Sequence, residues 1–92
     1  MHDVEVVLSR PLARFAGNTT KLVVRGDTFT GVLSEVYAQH PSLRRQLSDA
    51  DGALLPFVNV YVGADNIRDL GPGEVPVPPC TTVLIMMAVA GG

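Results

Sequence analysis

The residues best suited to chemistry in this chain are the last two. Gly91 and Gly92 follow Ala88-Val89-Ala90, a small, uncharged approach. Glycine has no Cβ, so a Gly-Gly end can enter a channel that any other residue would block, and it takes backbone angles closed to others. A carboxylate on such a stalk is a handle for chemistry done by another protein, whereas most chain ends are simply frayed. The remaining reactive groups are poorer candidates. Cys80 lies among prolines and threonines with no histidine nearby, not in the electropositive setting that makes a thiolate. His2 and His40 lack the spacing of a metal pair, and no cysteine cluster joins them. Asp49 with Asp51, and Asp65 with Asp69, read as solvated loop acids. Gly71-Pro72-Gly73 is followed by no Lys-Ser or Lys-Thr and lacks the strand-loop-helix context of a phosphate loop. The expectation is a protein with no catalytic residues, no metal site and no bound cofactor.

The elements that must position the tail follow from hydrophobic period. Residues 4–9 alternate Val4, Val6 and Leu8 against Glu5 and Ser9, the pattern of a half-buried strand. Arg10-Pro11 makes a bend, because proline cannot donate to a ladder. Gly17-Asn18 reads as a hairpin turn into a second strand over residues 19–25, rich in β-branched side chains. The period then changes. Asp27 or Thr28 can cap a helix running to Gln39, with Phe29, Val32, Leu33, Val36 and Tyr37 on one face. Pro41 ends it, and residues 43–47 make a short extra turn. A third strand covers residues 57–62, Asp65-Asn66 turns into a short segment over residues 67–70, and a last strand over residues 81–87 delivers the tail. Between them, residues 71–79 hold four prolines and two glycines and read as an irregular surface loop. The order β-β-α-β-β, with one helix able to cover one sheet face, describes a single α+β domain.

Composition narrows the setting. The chain has 92 residues, enough for one core without disulfides or a structural metal. Its net charge is −2 and its longest basic cluster is Arg44-Arg45, which gives nucleic-acid binding little electrostatic support. A single cysteine fits a reducing, cytoplasmic location. No charged-then-apolar leader opens the sequence, and the longest apolar stretch, residues 83–90, is too short to span a bilayer.

In this order, Phe57-Val58-Asn59-Val60-Tyr61-Val62, then Asp65-Asn66-Ile67-Arg68, then Ala88-Val89-Ala90-Gly91-Gly92 resemble the ubiquitin-like β-grasp sulfur carriers. That group contains the small subunit of molybdopterin synthase and the thiamine sulfur carrier. Gly26-Asp27-Thr28 at the step into the helix matches as well, and the resemblance covers nearly the whole chain. Within the group it looks most like the actinobacterial carriers that supply sulfur for cysteine synthesis, which share the Ala-Val-Ala-Gly-Gly ending. Two stretches depart from the pattern. Pro76-Val77-Pro78-Pro79-Cys80 replaces an acidic, glycine-containing turn, and Met86-Met87 stands where many relatives have a proline; both are expected near the surface that meets partner enzymes.

The resemblance implies a β-grasp domain over residues 1–87, a mixed sheet with one main helix on one face, and a flexible tail over residues 88–92. It also implies a chemistry. A carboxylate resists nucleophiles, so a ubiquitin-activating-type enzyme spends ATP to convert it to an acyl-adenylate, and sulfur then displaces AMP to leave a thiocarboxylate. Gly92 would carry the adenylate and then the sulfur, and Gly91, Ala90 and Val89 would thread the active site. A sulfur-accepting biosynthetic enzyme would follow, such as a pyridoxal-phosphate-dependent cysteine synthase, with a zinc peptidase completing the cycle. Some carriers of this type are made with a short extension that a protease removes. The chain would thus be a substrate and cosubstrate, not an enzyme.

Strand alternation adds a partner surface. If Val83 and Ile85 pack under the helix with Val58, Val60 and Val62, then Leu84 and Met86 project from the open face, beside Tyr61, Phe57 and Val7. An apolar open face marks a partner site, a homodimer contact, or a surface under the Pro-rich loop, and methionine suits partners of varied shape. The function classes left open are a carrier feeding cysteine, a carrier feeding molybdopterin or a sulfur-containing natural product, a ubiquitin-like protein modifier, and a plain interaction module. Lys21 is the sole lysine, which disfavours a modifier that builds branched polymers.

Overall fold

A computed structural model of the chain describes residues 2–70 and 74–87. Its centre is a five-stranded sheet built from β1 (His2–Leu8), β2 (Lys21–Gly26), β3 (Val58–Val62), β4 (Asp65–Asn66) and β5 (Thr82–Met87). The spatial order is β2-β1-β5-β3-β4, so the last strand lies in the middle. β1 and β5 run parallel, and the other neighbours are antiparallel. Inward positions alternate as the sequence demands. Val4, Val6, Leu22, Val24, Val58, Val60, Val83 and Ile85 are all at or below 5% exposure, with polar or more exposed residues between them.

One face of this sheet is covered by α2 (Phe29–Gln39) and α3 (Pro41–Leu47). Thr28 starts α2 from an extended conformation, and its Oγ1 accepts the Gly31 N–H at 3.2 Å, which satisfies one of the orphan donors of the first turn. Pro41 cannot continue α2 but suits the first turn of α3, where a missing N–H costs nothing. Leu43 and Leu47 of α3 join Val32 and Val36 of α2 in the core.

Three local features differ from the sequence reading. The bend at Arg10-Pro11 opens a short helix, α1 (Arg10–Ala13), and a 3-10 turn, Arg14–Ala16, that bury Leu12, Ala13 and Ala16. Gly17 and Asn18 both take φ of 64°, as a tight turn requires, but they follow this helical segment and do not directly join two strands. Asp65-Asn66 is a short edge strand, joined to β3 through Gly63 at φ 63°. The Pro-rich segment is only partly a surface loop. Val75 and Val77 are buried, Phe29 N–H donates to Val75 O at 2.8 Å, and Val77 N–H donates to Asp27 O at 2.9 Å. The His2 Nε2 lies 2.6 Å from Val77 O. Proline spacing leaves the two valines free to point inward, so the segment ties the start of β1 to the start of α2.

Candidate functional site

β5 ends at Met87, and Val89, Ala90, Gly91 and Gly92 lie outside the described residues. The described site is therefore the root of the tail. β5 places alternate residues on opposite faces: Val83 and Ile85 are buried under the helices, and Leu84 and Met86 face the other way. Register then fixes their neighbours. Leu84 lies between Val7 of β1 and Tyr61 of β3, and Met86 lies opposite Asn59. Val7, Leu84, Tyr61 and Met86 are each half-buried, which leaves an apolar strip along the centre of the uncovered sheet face. Its flank toward β2 is charged, carrying Asp3, Glu5, Lys21 and Arg25 around Val23.

Phe57 stands apart from this strip. β3 begins at Val58, one residue later than the sequence reading has it, and Phe57 lies in a turn closed by Val58 N–H donating to Leu55 O at 3.0 Å. It is 42% exposed and belongs to no ladder, so the structure brings Tyr61, Leu84 and Met86 together and leaves Phe57 at the margin. The turn is held from outside by Arg68. Its guanidinium donates to Leu55 O at 3.0 Å, Pro56 O at 3.3 Å and Asn59 Oδ1 at 3.2 Å, and its backbone N–H donates to Asn66 Oδ1 at 2.9 Å. Asn59, opposite Met86, is thereby tied to the β4 edge. The sequence reading marked Asp65-Asn66-Ile67-Arg68 without a physical role. The usable signal was an arginine two residues after an asparagine that turns the chain.

The Pro-rich segment is not beside this site. It enters β5 at Thr82, and the tail leaves β5 at Met87, five residue steps and about 17 Å away along the strand. Its departure from the family pattern thus falls at the opposite end of β5 from the tail, whereas Met86-Met87 lies at the root itself. Cys80, exposed and at φ 65°, also belongs to the far end.

On the helical side, burial pushes the Tyr37 phenol up from its ordinary value, against the lowering pulls of its hydrogen bond with Ser48 and of the Arg44 charge. This pair ties α2 to the end of α3 and is remote from the tail root. Among the described residues, no three His, Cys, Asp or Glu side chains group as metal ligands would, and no helix is long and apolar enough to cross a membrane.

No protein-family model matches the sequence. Curated relatives do. The sulfur carrier protein CysO of Mycobacterium tuberculosis is 30% identical over 92 residues, covering 98% of this chain and 99% of that protein, and that of Mycobacterium bovis matches equally. The chain belongs to the ubiquitin-like sulfur carrier family. Solved structures superpose closely. The BexX/CysO complex of Amycolatopsis orientalis contains a chain that matches with a TM-score of 0.86 at 29% identity, covering 97% of this carrier and 99% of that chain. M. tuberculosis CysO gives 0.83 at 28% identity, covering 94% and 99%. SAMP1 of Haloferax volcanii gives 0.84 at 22% identity, covering 99% and 100%, which speaks to the fold alone. The β-grasp architecture is therefore that of the family. Its members are non-catalytic carriers.

Proposed function

We propose that Gly92 is adenylated by an ATP-dependent activating enzyme and converted to a thiocarboxylate, and that this sulfur supplies cysteine synthesis. The observation that carries the reading is the Ala88-Val89-Ala90-Gly91-Gly92 sequence immediately after β5, in a chain that aligns end to end with mycobacterial CysO. The central position of β5 supports it. A strand hydrogen-bonded on both sides is a rigid base, so a short tail that follows it can be directed into a narrow active site without the domain entering. The domain supplies no acid, base or metal to the reaction.

The activating enzyme docks on the uncovered sheet face, with Leu84, Met86 and Tyr61 at the centre and Phe57 at the margin. Burial of this strip supplies affinity, and the strip's nearness to Met87 sets the tail's direction. In the onward step, a pyridoxal-phosphate-dependent cysteine synthase eliminates the leaving group of an activated serine, and the terminal sulfur adds to the β-carbon of the aminoacrylate that remains. The resulting thioester rearranges to an amide, which is favoured because the amide is more stable and the amine is held within reach. A zinc peptidase then hydrolyses that amide, releasing cysteine and restoring the Gly92 carboxylate.

A second acceptor competes on one specific observation. The Amycolatopsis orientalis carrier seen with BexX is as similar to this chain as the mycobacterial proteins are, at 29% against 30% identity. Incubating thiocarboxylated carrier with the cysteine synthase relative of the same organism and activated serine decides between them. The cysteine reading expects a cysteine adduct on Gly92 in the intact mass. Unmodified thiocarboxylate after that incubation transfers the assignment to an enzyme outside cysteine synthesis.

A further inference from the structure

We infer that an arginine-lined cleft at the root of the tail docks against side-chain carboxylates at the mouth of the activating enzyme's tail channel. The inference rests on the carrier reading above and concerns a surface distinct from the apolar strip. Met87 pairs with Val58 and therefore turns to the helical side of the sheet. There it lines a cleft of about 420 Å³ with Arg10, Arg14, Phe15 and Gln46. An adjoining cleft of about 540 Å³ shares Phe15 and Gln46 and adds Arg45. No Asp or Glu lines either one. All three arginines are exposed, and among the described residues no hydrogen bond or ion pair engages their guanidinium groups.

Three arginines gather here although the chain carries a net charge of −2. None of the nine acids lines these clefts. Asp65 and Glu74 line a cleft with Thr81, at the opposite end of β5. The root of the tail thus carries a local basic cluster in clefts that no acid lines. Such an arrangement orients the molecule tail-first toward a negative surface and raises the encounter rate in a salt-dependent way. Planar guanidinium groups beside a half-buried aromatic ring are suited to carboxylates at a protein interface.

Reach decides which anions these arginines meet. The five residues after Met87 extend at most about 18 Å. With the tail inserted, Arg10 and Arg14 stay at the channel mouth, far from the phosphates of ATP at the reacting carboxylate. Their partners are then carboxylates on the enzyme's rim. Nucleic acid is the competing polyanion, and the small patch in an acidic chain argues against it.

The test is ATP–pyrophosphate exchange by the activating enzyme of the same organism, measured against carrier concentration at several ionic strengths. The double variant Arg10→Glu/Arg14→Glu should raise KM for the carrier about tenfold and flatten its salt dependence, with kcat unchanged. Arg10→Gln/Arg14→Gln should act in the same direction with a smaller effect. Arg44→Glu, which alters net charge as much as one such reversal but faces the cleft between α2 and α3, should shift KM less than about twofold. Circular dichroism of each variant should match the parent. Wild-type exchange with an unchanged KM in both double variants overturns this inference alone, as does an unchanged KM with loss of binding to an RNA oligonucleotide. Absence of exchange with the wild-type chain overturns the carrier reading and this docking with it.

Discussion

At Gly26 the end of β2 passes so close to α2 that a Cβ would meet Val32 Cγ2 at 3.0 Å and Val32 N at 3.1 Å. Val32 is buried at 1% exposure, so a Cβ at Gly26 would press on a packed side chain and on backbone. The Gly26-Asp27-Thr28 step therefore needs a residue without a side chain so that the Thr28 cap can start the helix at the right distance from the sheet. Gly26→Ala should destabilise the domain by about 1–3 kcal/mol in urea unfolding, the range for overpacking a filled core. An unchanged midpoint would mean that α2 can move outward freely. This constraint was legible only as a matched motif, since sequence alone does not reveal which backbone passes which. Arg68 is similar: its type and position were visible, but its grip on Leu55, Pro56 and Asn59 depends on a turn that no local pattern announces. Arg10 and Arg14 acquired no role from sequence because the helical turns that gather them were read as a bend.

At the scale of elements, the long periodic segments were legible and the short ones were not. The helix over Phe29–Gln39 and the strands over Val58–Val62 and Thr82–Met87 match the reading to within a residue or so, because each carries several inward side chains in one period. The helix over Arg10–Ala13 and the strand over Asp65–Asn66 are too short to show a period, and they exist because tertiary neighbours hold them. Val75 and Val77 were hidden by the prolines around them. The alternation in β5 carries a direct prediction. Met86→Asp should raise KM for adenylation about tenfold or more while leaving the fold intact, because a charge would be stranded in a desolvated contact. Ile85→Ala, one residue earlier on the buried face, should instead cost about 2–5 kcal/mol of stability. Calorimetry that finds Met86→Asp binding the activating enzyme with unchanged affinity would remove the sheet face from the docking surface.

For the molecule as a whole, the fold and the carrier family were readable from ordered motifs, while the layout of charge was not. Seven basic and nine acidic residues give a composition that suggests no partner, yet folding gathers Arg10, Arg14 and Arg45 around adjoining clefts at the tail end of β5 that no acid lines. The apolar strip ends at Met86 on one face of the sheet and the arginine cleft begins at Met87 on the other, so both proposed docking surfaces flank the end of the central strand. The central claim is that sulfur is loaded on Gly92. Intact-mass spectrometry of the chain after incubation with its activating enzyme, ATP and a sulfide source tests this most directly. The wild-type chain should gain the mass difference between one sulfur and one oxygen atom, and a chain lacking Gly92 should gain nothing while unfolding at the same midpoint. An unchanged wild-type mass, or an equal gain in the chain lacking Gly92, would contradict the account.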